Sequence, residues 1–419
     1  MRVLLIGSGA REHALAEALA GSPLLSALYV APGNPGIGGI AERVPIGAED
    51  VDALVAFARE RRIDLVVPGP EAPLVAGLAD RCAEAAIACA GPTAAAARLE
   101  GSKSFTKEIC DAAGIPTARW EAFGERAAAH EFVRKRGVPI VIKADGLAAG
   151  KGVVVAQTLG EAEAAIDALL APGGTLVIEE CLAGEEVSLF AFCDGLDAVL
   201  IGAAQDHKRI GDGDTGANTG GMGAVVPPRG FGRDAQERAV ELVIRPALKA
   251  MARAGTPFRG VLFAGLMLTA QGPKLIEFNV RFGDPEAQVL LPRLRSDLLA
   301  ALTAMAAGRL ADCAVAFSDE AAVGVVLAGR GYPGTPATGG AIGGLDAAAA
   351  VPGVRIYQAA TECGADGVLR GAGGRVLTVA ALAPTLAGAR DAAYAAVARI
   401  DWPDGVWRRD IGARALGEV

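Results

Sequence analysis

The residues most able to do chemistry together lie between Ile276 and Glu286, in the order Ile-Glu-Phe-Asn-Val-Arg-Phe-Gly-Asp-Pro-Glu. If Leu275 to Asn279 is a strand, its two-residue period puts Glu277 and Asn279 on one face. Two hard oxygen ligands placed side by side suit a magnesium ion shared with triphosphate oxygens. Arg281 continues that face, and a guanidinium there suits a transferring phosphoryl group or an acyl phosphate. A polar edge strand with one salt bridge would carry the same residues, so this pattern alone leaves both readings open.

Lysine narrows the choice. Of 40 basic side chains only eight are Lys, and five of these, Lys103, Lys107, Lys143, Lys151 and Lys208, fall in or beside glycine-rich or strand-end segments. A compact ammonium at a strand end, with glycine amides around the oxyanion, accounts well for Lys143 and Lys151. Ordinary solvated lysines are the plainer alternative. The Lys151 loop is not a Walker A sequence, because Gly152 follows the lysine, and Gly7-Ser8-Gly9-Ala10-Arg11-Glu12 is not a dinucleotide fingerprint, because Glu12 takes the third glycine position.

Positioning these groups requires a multidomain α/β and α+β chain. Apolar runs at Arg2–Ile6, Leu28–Ala31 and Asp64–Val67 each end in a glycine or glycine-proline loop, and Arg11–Ala20 has helical composition. Parallel strands of that kind bring their loops to one sheet edge, giving a first α/β domain that ends near Leu99. A helix over Ser104–Ala113 stops at Gly114 and Pro116. Strands at Pro139–Lys143, Gly152–Val155 and Thr175–Glu179, with a helix over Glu161–Leu170, make a small α+β lobe. Beyond Glu186, strands alternate with glycine loops, the richest being Gln205–Gly223. Gly260–Thr269 and Lys274–Phe278 read as an antiparallel pair turning at Gln271-Gly272. From about Ala321 the tail reads as a compact α+β cap.

The bulk properties exclude several classes. A 419-residue chain that is 52% hydrophobic and 21% charged is a folded protein of several domains. The formal charge of -8 disfavours a general nucleic-acid surface. The seven cysteines form no Cys-x-x-Cys pair and read as reduced, mostly buried thiols. No apolar run is long enough for a membrane span and the first residues are a poor export signal, so a cytoplasmic enzyme is expected.

Arg281 to Gln288, R-F-G-D-P-E-A-Q, resembles the signature of the phosphoribosylamine–glycine ligase family, also called glycinamide ribonucleotide synthetases, in the ATP-grasp superfamily. The likeness spans the chain: G-S-G-A-R-E-H at Gly7–His13, A-P-G-N-P-G at Ala31–Gly36, G-P-E-A-P-L at Gly69–Leu74, I-K-A-D-G-L-A-A-G-K-G at Ile142–Gly152, Q-D-H-K-R at Gln205–Arg209, D-T-G-A-N-T-G-G-M-G at Asp214–Gly223 and R-R-D-I-G at Arg408–Gly412. It implies an N-terminal substrate domain (1–100), a linker and helix (101–119), an ATP-grasp lid lobe (120–187), a catalytic domain (188–320) and a C-terminal domain (321–419). The implied reaction joins glycine to 5-phosphoribosylamine through glycyl phosphate, with ATP as cosubstrate and Mg2+ or Mn2+ as cofactor. A monomer in transient contact with the preceding pathway enzyme is also implied.

The resemblance implies residue roles as well. Lys103, Lys143 and Lys151 meet ATP phosphates, and Glu179, Glu180, Leu182 and Glu186 form the adenine and ribose pocket. Glu277 and Asn279 hold the metal, while Arg281, Lys208 and Asp214 serve catalysis. Glycine and phosphoribosylamine lie near Gly9, Arg11, Glu12, His13, Asn34, Glu71, Asp214, Thr215, Arg281 and Gly283. His13 and His207 are expected as phosphate contacts rather than general bases. Two departures stand out: Ala217 replaces the usual proline, and the strand before Glu277 holds no acid.

Overall fold

The structure, a computed structural model, describes residues 1–147 and 152–418. Its first sheet has five parallel strands in the spatial order Glu42–Arg43, Ala27–Pro32, Arg2–Gly7, Leu65–Pro68, Ala88–Cys89. Val3 to Ile6 are buried without remainder, as an apolar run covered on both faces requires. The strand order reverses between Arg2–Gly7 and Leu65–Pro68, so the loops after Gly7 and Pro68 open on one crevice at the carboxyl ends of the strands.

The small lobe is a four-stranded antiparallel sheet, Trp120–Phe123, Leu176–Glu180, Ile140–Ala144 and Val153–Ala156, in that spatial order. Helices Arg126–Arg136 and Leu159–Leu169 pack on one face through a core of their own that includes Val133, Ile142, Ile166 and Ile178. Alternation along Ile140–Ala144 therefore turns Val141 and Lys143 to the opposite face. The edge strand Trp120–Phe123 was not legible in the sequence; its mostly exposed pattern carries no alternation to read.

The remaining large sheet runs Gly272–Asn279, Arg259–Thr269, Glu185–Asp194, Ala198–Asp206, Gly223–Val226, Ala321–Gly329, Arg375–Ala383, Val354–Gln358, with Gly405–Val406 added beside Ala321–Gly329. The expected hairpin is present, with Thr269 paired to Gly272 at its turn. The long strands of the tail, however, join this sheet, and the short pair Thr361–Cys363 and Leu369–Gly371 forms a separate two-stranded sheet. Gly223–Val226 is buried at all four positions and pairs Ala198–Asp206 on one side and Ala321–Gly329 on the other. Four small apolar residues after a glycine loop thus carry the hydrogen-bond ladder from the central segment into the tail.

Candidate functional site

At the crevice of the first sheet, Glu12 is buried and accepts from the Gly9 amide at 2.6 Å. It also pairs with Arg11 at 2.6 Å. A Cβ on Gly69 would lie 2.0 Å from Glu12 Oε1, and one on Gly7, at φ +123, 2.6 Å from Glu12 Cδ. These glycines are there so that two backbone loops can close on one carboxylate. Arg11 extends past it to donate to the Phe282 carbonyl at 3.1 Å, joining the first domain to the R-F-G-D-P-E segment.

His13 and Asn34, expected beside phosphoribosylamine, are held by contacts within the chain. His13 Nδ1 accepts from the Gln358 amide at 2.9 Å, with its ring edge-on to Tyr357. Burial lowers its pKa, outweighing the nearby Glu17. A phosphate contact would have to come from Nε2 of a neutral ring. Asn34 donates to the Ser8 and Gln358 carbonyls at 2.8 Å each and accepts from the Ile37 amide at 3.1 Å. Both residues stitch the first sheet to the tail strand Val354–Gln358.

The seam between the small lobe and the large sheet gathers the lysines. Lys143 Nζ lies 2.7 Å from Glu179 Oε1, and Lys107 Nζ lies 2.8 Å from Glu179 Oε2. Lys103 donates to the Gly146 carbonyl at 2.8 Å, while Asp145 caps the helix Lys103–Ala113 by accepting from the Lys103 amide at 2.5 Å. Lys208 pairs with Glu186. Glu180 instead faces Arg119 and Lys274, and half-buried Leu182 follows it in the linking segment. Lys151 falls outside the described residues.

Glu277 and Asn279 do share a face of their strand, with Phe278 buried on the other. Burial pushes the Glu277 pKa up, but Lys208, Lys143, Lys103 and Arg281 together hold it below its usual value. Four cations converge on this one carboxylate, and a local gathering of positive charge is what a polyphosphate needs. Asn279 Oδ1 accepts from Arg281 at 3.3 Å.

Arg281 is fully engaged. It reaches Glu71 at 3.0 Å and Glu100 at 2.8 Å, so the R-F-G-D-P-E segment is pinned to two elements of the N-terminal region. Burial opposes its charge, but Glu100 and Glu71 raise its pKa further. The Glu100 pKa is raised by burial despite Arg281. Gly283 is buried, and a Cβ there would lie 2.3 Å from Glu286 Oε2. Asp284 is clamped by Arg375 of the tail at 3.0 Å, and Arg375 also donates to the Gly220 carbonyl at 2.5 Å.

Asp214 and Thr215 sit on a hairpin of Arg209–Gly211 and Thr215–Asn218, apart from the lysine seam. Asp214, at φ +54, pairs with Arg408 at 2.5 Å and Arg414 at 2.6 Å, and Arg408 grips Asp410 with two nitrogens at 2.7 and 2.6 Å. Thr215 caps its own turn at the Asp212 carbonyl, 2.9 Å away. Burial, reinforced by Arg408, drops the His207 pKa to about 4, so this ring too is neutral near pH 7. Asp206 is pushed well up by burial and then by Glu286, and its Oδ1 lacks a hydrogen-bond partner among the described residues.

Sequence reasoning assigned no role to Glu100, Arg375 or Lys107. Glu100 and Arg375 reach partners 181 and 91 residues away, and no local spacing encodes such pairs. Lys107 had one signal, the scarcity of lysine.

Family comparison covers the chain in three blocks: the phosphoribosylglycinamide synthetase N domain matches residues 1–100, its ATP-grasp (A) domain 101–287 and its C domain 322–414. The chain is similar to the phosphoribosylamine–glycine ligases of Mesorhizobium japonicum, at 54% identity over 99% of both chains, and of Escherichia coli O157:H7, at 47% identity over 99% of both. Among solved structures, the phosphoribosylamine–glycine ligase of Thermotoga maritima superposes with a TM-score of 0.84 at 32% identity, covering 98% of this chain and 100% of that one. A biotin carboxylase domain from Hydrogenobacter thermophilus shares the fold, with a TM-score of 0.74 at 18% identity over 97% of this chain and 91% of that one.

Proposed function

The chain belongs to the phosphoribosylglycinamide synthetase family, and on that premise we propose how its cleft joins glycine to 5-phosphoribosylamine. The activity is an ATP-dependent carbon–nitrogen ligation in purine biosynthesis. A carboxylate at neutral pH resists attack by an amine, so ATP first phosphorylates glycine. The amine of phosphoribosylamine then attacks the glycyl phosphate carbonyl and expels phosphate, and the attacking nitrogen gives up a proton. The observation that carries this reading is the convergence of Lys103, Lys143, Lys208 and Arg281 around Glu277. Such preorganised charge stabilises a phosphoryl group in transfer better than water, which must reorient.

Within that reading, Lys143 meets the nucleotide phosphates from the lid lobe, 120–187, and Lys103 meets them from the linker and helix, 101–119, while Glu186 with the segment Glu179–Leu182 borders the adenine and ribose. The catalytic domain, 188–320, supplies Glu277, Lys208 and Arg281, and the N-terminal domain, 1–100, offers its crevice at Gly9, Glu12 and Glu71 to phosphoribosylamine. The C-terminal domain, 321–419, orients the Asp214 hairpin and the Asp284 loop for glycine. Among the described residues no cluster of three or more His, Cys, Asp and Glu side chains could hold a metal. Glu277 and Asn279, neighbours on one strand face, fit a magnesium or manganese ion that takes its other ligands from phosphate and water. Bound there, such an ion would neutralise charge on the bridging phosphate oxygens. The enzyme is read as a cytoplasmic monomer; among the described residues no helix is long and apolar enough to cross a membrane.

Phosphate release, assayed with ATP, glycine and phosphoribosylamine and then with each omitted, tests the reading. Amide should form only with all three present. Phosphate release indifferent to glycine would overturn it.

A further inference from the structure

The lysine seam holds one cation that the proposed chemistry does not use. Lys107 is 2% exposed, Glu179 3% and Lys143 6% at their side chains, so one carboxylate lies between two ammonium groups out of water. The two lysines are not held alike. Lys107 donates to Thr117 Oγ1 at 2.6 Å, and that hydroxyl donates to the Leu275 carbonyl at 2.7 Å, which fixes Lys107 to the strand carrying Glu277. Lys143 has a 3.5 Å contact to the Ile276 carbonyl, and its approach to Glu179 Oε1 is out of line for a hydrogen bond. One end of the triad is anchored and the other is loose.

We infer that Lys107 is a positioning residue for nucleotide: it keeps the Glu179 carboxylate paired from behind, so that the Lys143 ammonium can pass from Glu179 to an incoming phosphate. The inference rests on the reading of Lys143 as a phosphate contact. Its physical basis is that a buried carboxylate deprived of its counter-charge is strongly penalised, whereas one that keeps a hydrogen-bonded cation is not. With two cations on one anion, the triad can give up Lys143 and leave a neutral pair of Lys107 and Glu179. Burial, and then Lys143, push the Lys107 pKa down while Glu179 props it up, consistent with a charge that depends on this one partner. Without Lys107, every nucleotide that engaged Lys143 would have to strip Glu179 bare.

Calorimetric binding of ADP with magnesium to the purified full chain tests this, alongside KM for ATP, kcat and thermal melts. Lys107→Met should weaken ADP binding and raise KM for ATP by roughly 10- to 100-fold, with kcat at saturating ATP within about threefold. Adding Glu179→Gln to Lys107→Met should restore most of the affinity, because a neutral amide needs no counter-charge; a merely structural Lys107 would show no such recovery. Lys143→Met separates the two ideas. If it leaves ADP affinity unchanged, the phosphate reading of Lys143 fails, and this inference with it. If Lys143→Met weakens binding but Lys107→Met does not, or the double variant is no better than Lys107→Met, only the role of Lys107 is overturned. Should Lys107→Met not fold, Lys107→Gln takes its place: a tenfold or greater loss of ADP affinity in the folded protein supports the hand-over, and wild-type affinity refutes it.

Discussion

The lysine seam and the arginine frame solve opposite problems with the same sign of charge. Along the seam, Lys103, Lys143 and Lys208 each face a partner that a ligand can replace: a carbonyl, a shared carboxylate and a partly exposed glutamate. In the frame, Arg11, Arg281, Arg375 and Arg408 each join segments far apart in the chain, by forks of two or more bonds. An ammonium is a point charge that can be handed over, and a guanidinium is a rigid fork that fixes geometry. Cations meant for a ligand are therefore loosely held, and cations meant for architecture are saturated. Such a division makes Arg281 an interdomain clasp that also borders the reacting groups, rather than a free finger.

The sharpest test acts on the carboxylate that Lys103, Lys143, Lys208 and Arg281 face together. Glu277→Gln removes charge where phosphoryl transfer shifts it, and kcat should fall roughly 100-fold or more, about 3 kcal/mol, with little change in KM for ATP. The measurement is amide formation across a magnesium titration, with a thermal melt to verify folding. Wild-type kcat with an unchanged magnesium requirement would remove Glu277 from the metal site.

Arg281→Lys keeps the charge but loses the fork. One ammonium cannot span Glu71 and Glu100, so activity should drop on the order of 30-fold and Tm should fall, because buried Glu100 loses its partner. If the lysine variant matched wild type in both, the contrast between the two kinds of cation would collapse. A milder effect concerns the substrate. The glycine-dense loop 211–223 lets backbone approach the amino acid closely, so alanine should be used with kcat/KM about tenfold or more below that of glycine; near-equal values would end the crowding argument.

Two smaller effects complete the comparison. Hydrogen exchange in 120–186 should slow when a non-hydrolysable ATP analogue binds, while amides of Ala321–Gly329 in the frame stay unchanged. Uniform slowing would deny the lobe its separate motion. At low pH the frame should loosen at Asp410, which is held down to about 2, with the Arg408 side chain and the Gly213 amide overcoming burial. A depressed carboxylate stabilises the fold above its unfolded pKa of about 3.9, and that contribution fades as pH falls toward 2. Tm should thus decline across that window, and less steeply in Asp410→Asn.

Much of this was readable from one sequence because the signals were local. Apolar runs ending in glycine loops located three of the five parallel strands of the first sheet, the Gln271-Gly272 turn located the hairpin ending at Asn279, and a two-residue period put Glu277 beside Asn279. What escaped was non-local. His13 and Asn34 carry polar groups in a loop motif, which reads as ligand contact, yet their partner is backbone of Gln358, more than 320 residues on. Glu100 has no local signal, and only the fold brings Arg281 to it. The ladder through Gly223–Val226 was hidden because a short apolar run does not encode its partners, which lie in Ala198–Asp206 and Ala321–Gly329.

That ladder decides where the chain can be cut. Residue 320 looks like a clean boundary, but truncating the chain there would uncover one whole side of Gly223–Val226 and bare Val225, whose fellow core residues lie in the tail. An unprotected apolar edge recruits other strands, so a fragment ending there should self-associate rather than persist as a smaller soluble enzyme. The lid lobe, whose sheet and core are its own, offers better seams for grafting into a related ligase. Units of sequence and units of hydrogen bonding are partitioned differently here, and a chimera that respects only the first will leave a strand without its neighbour.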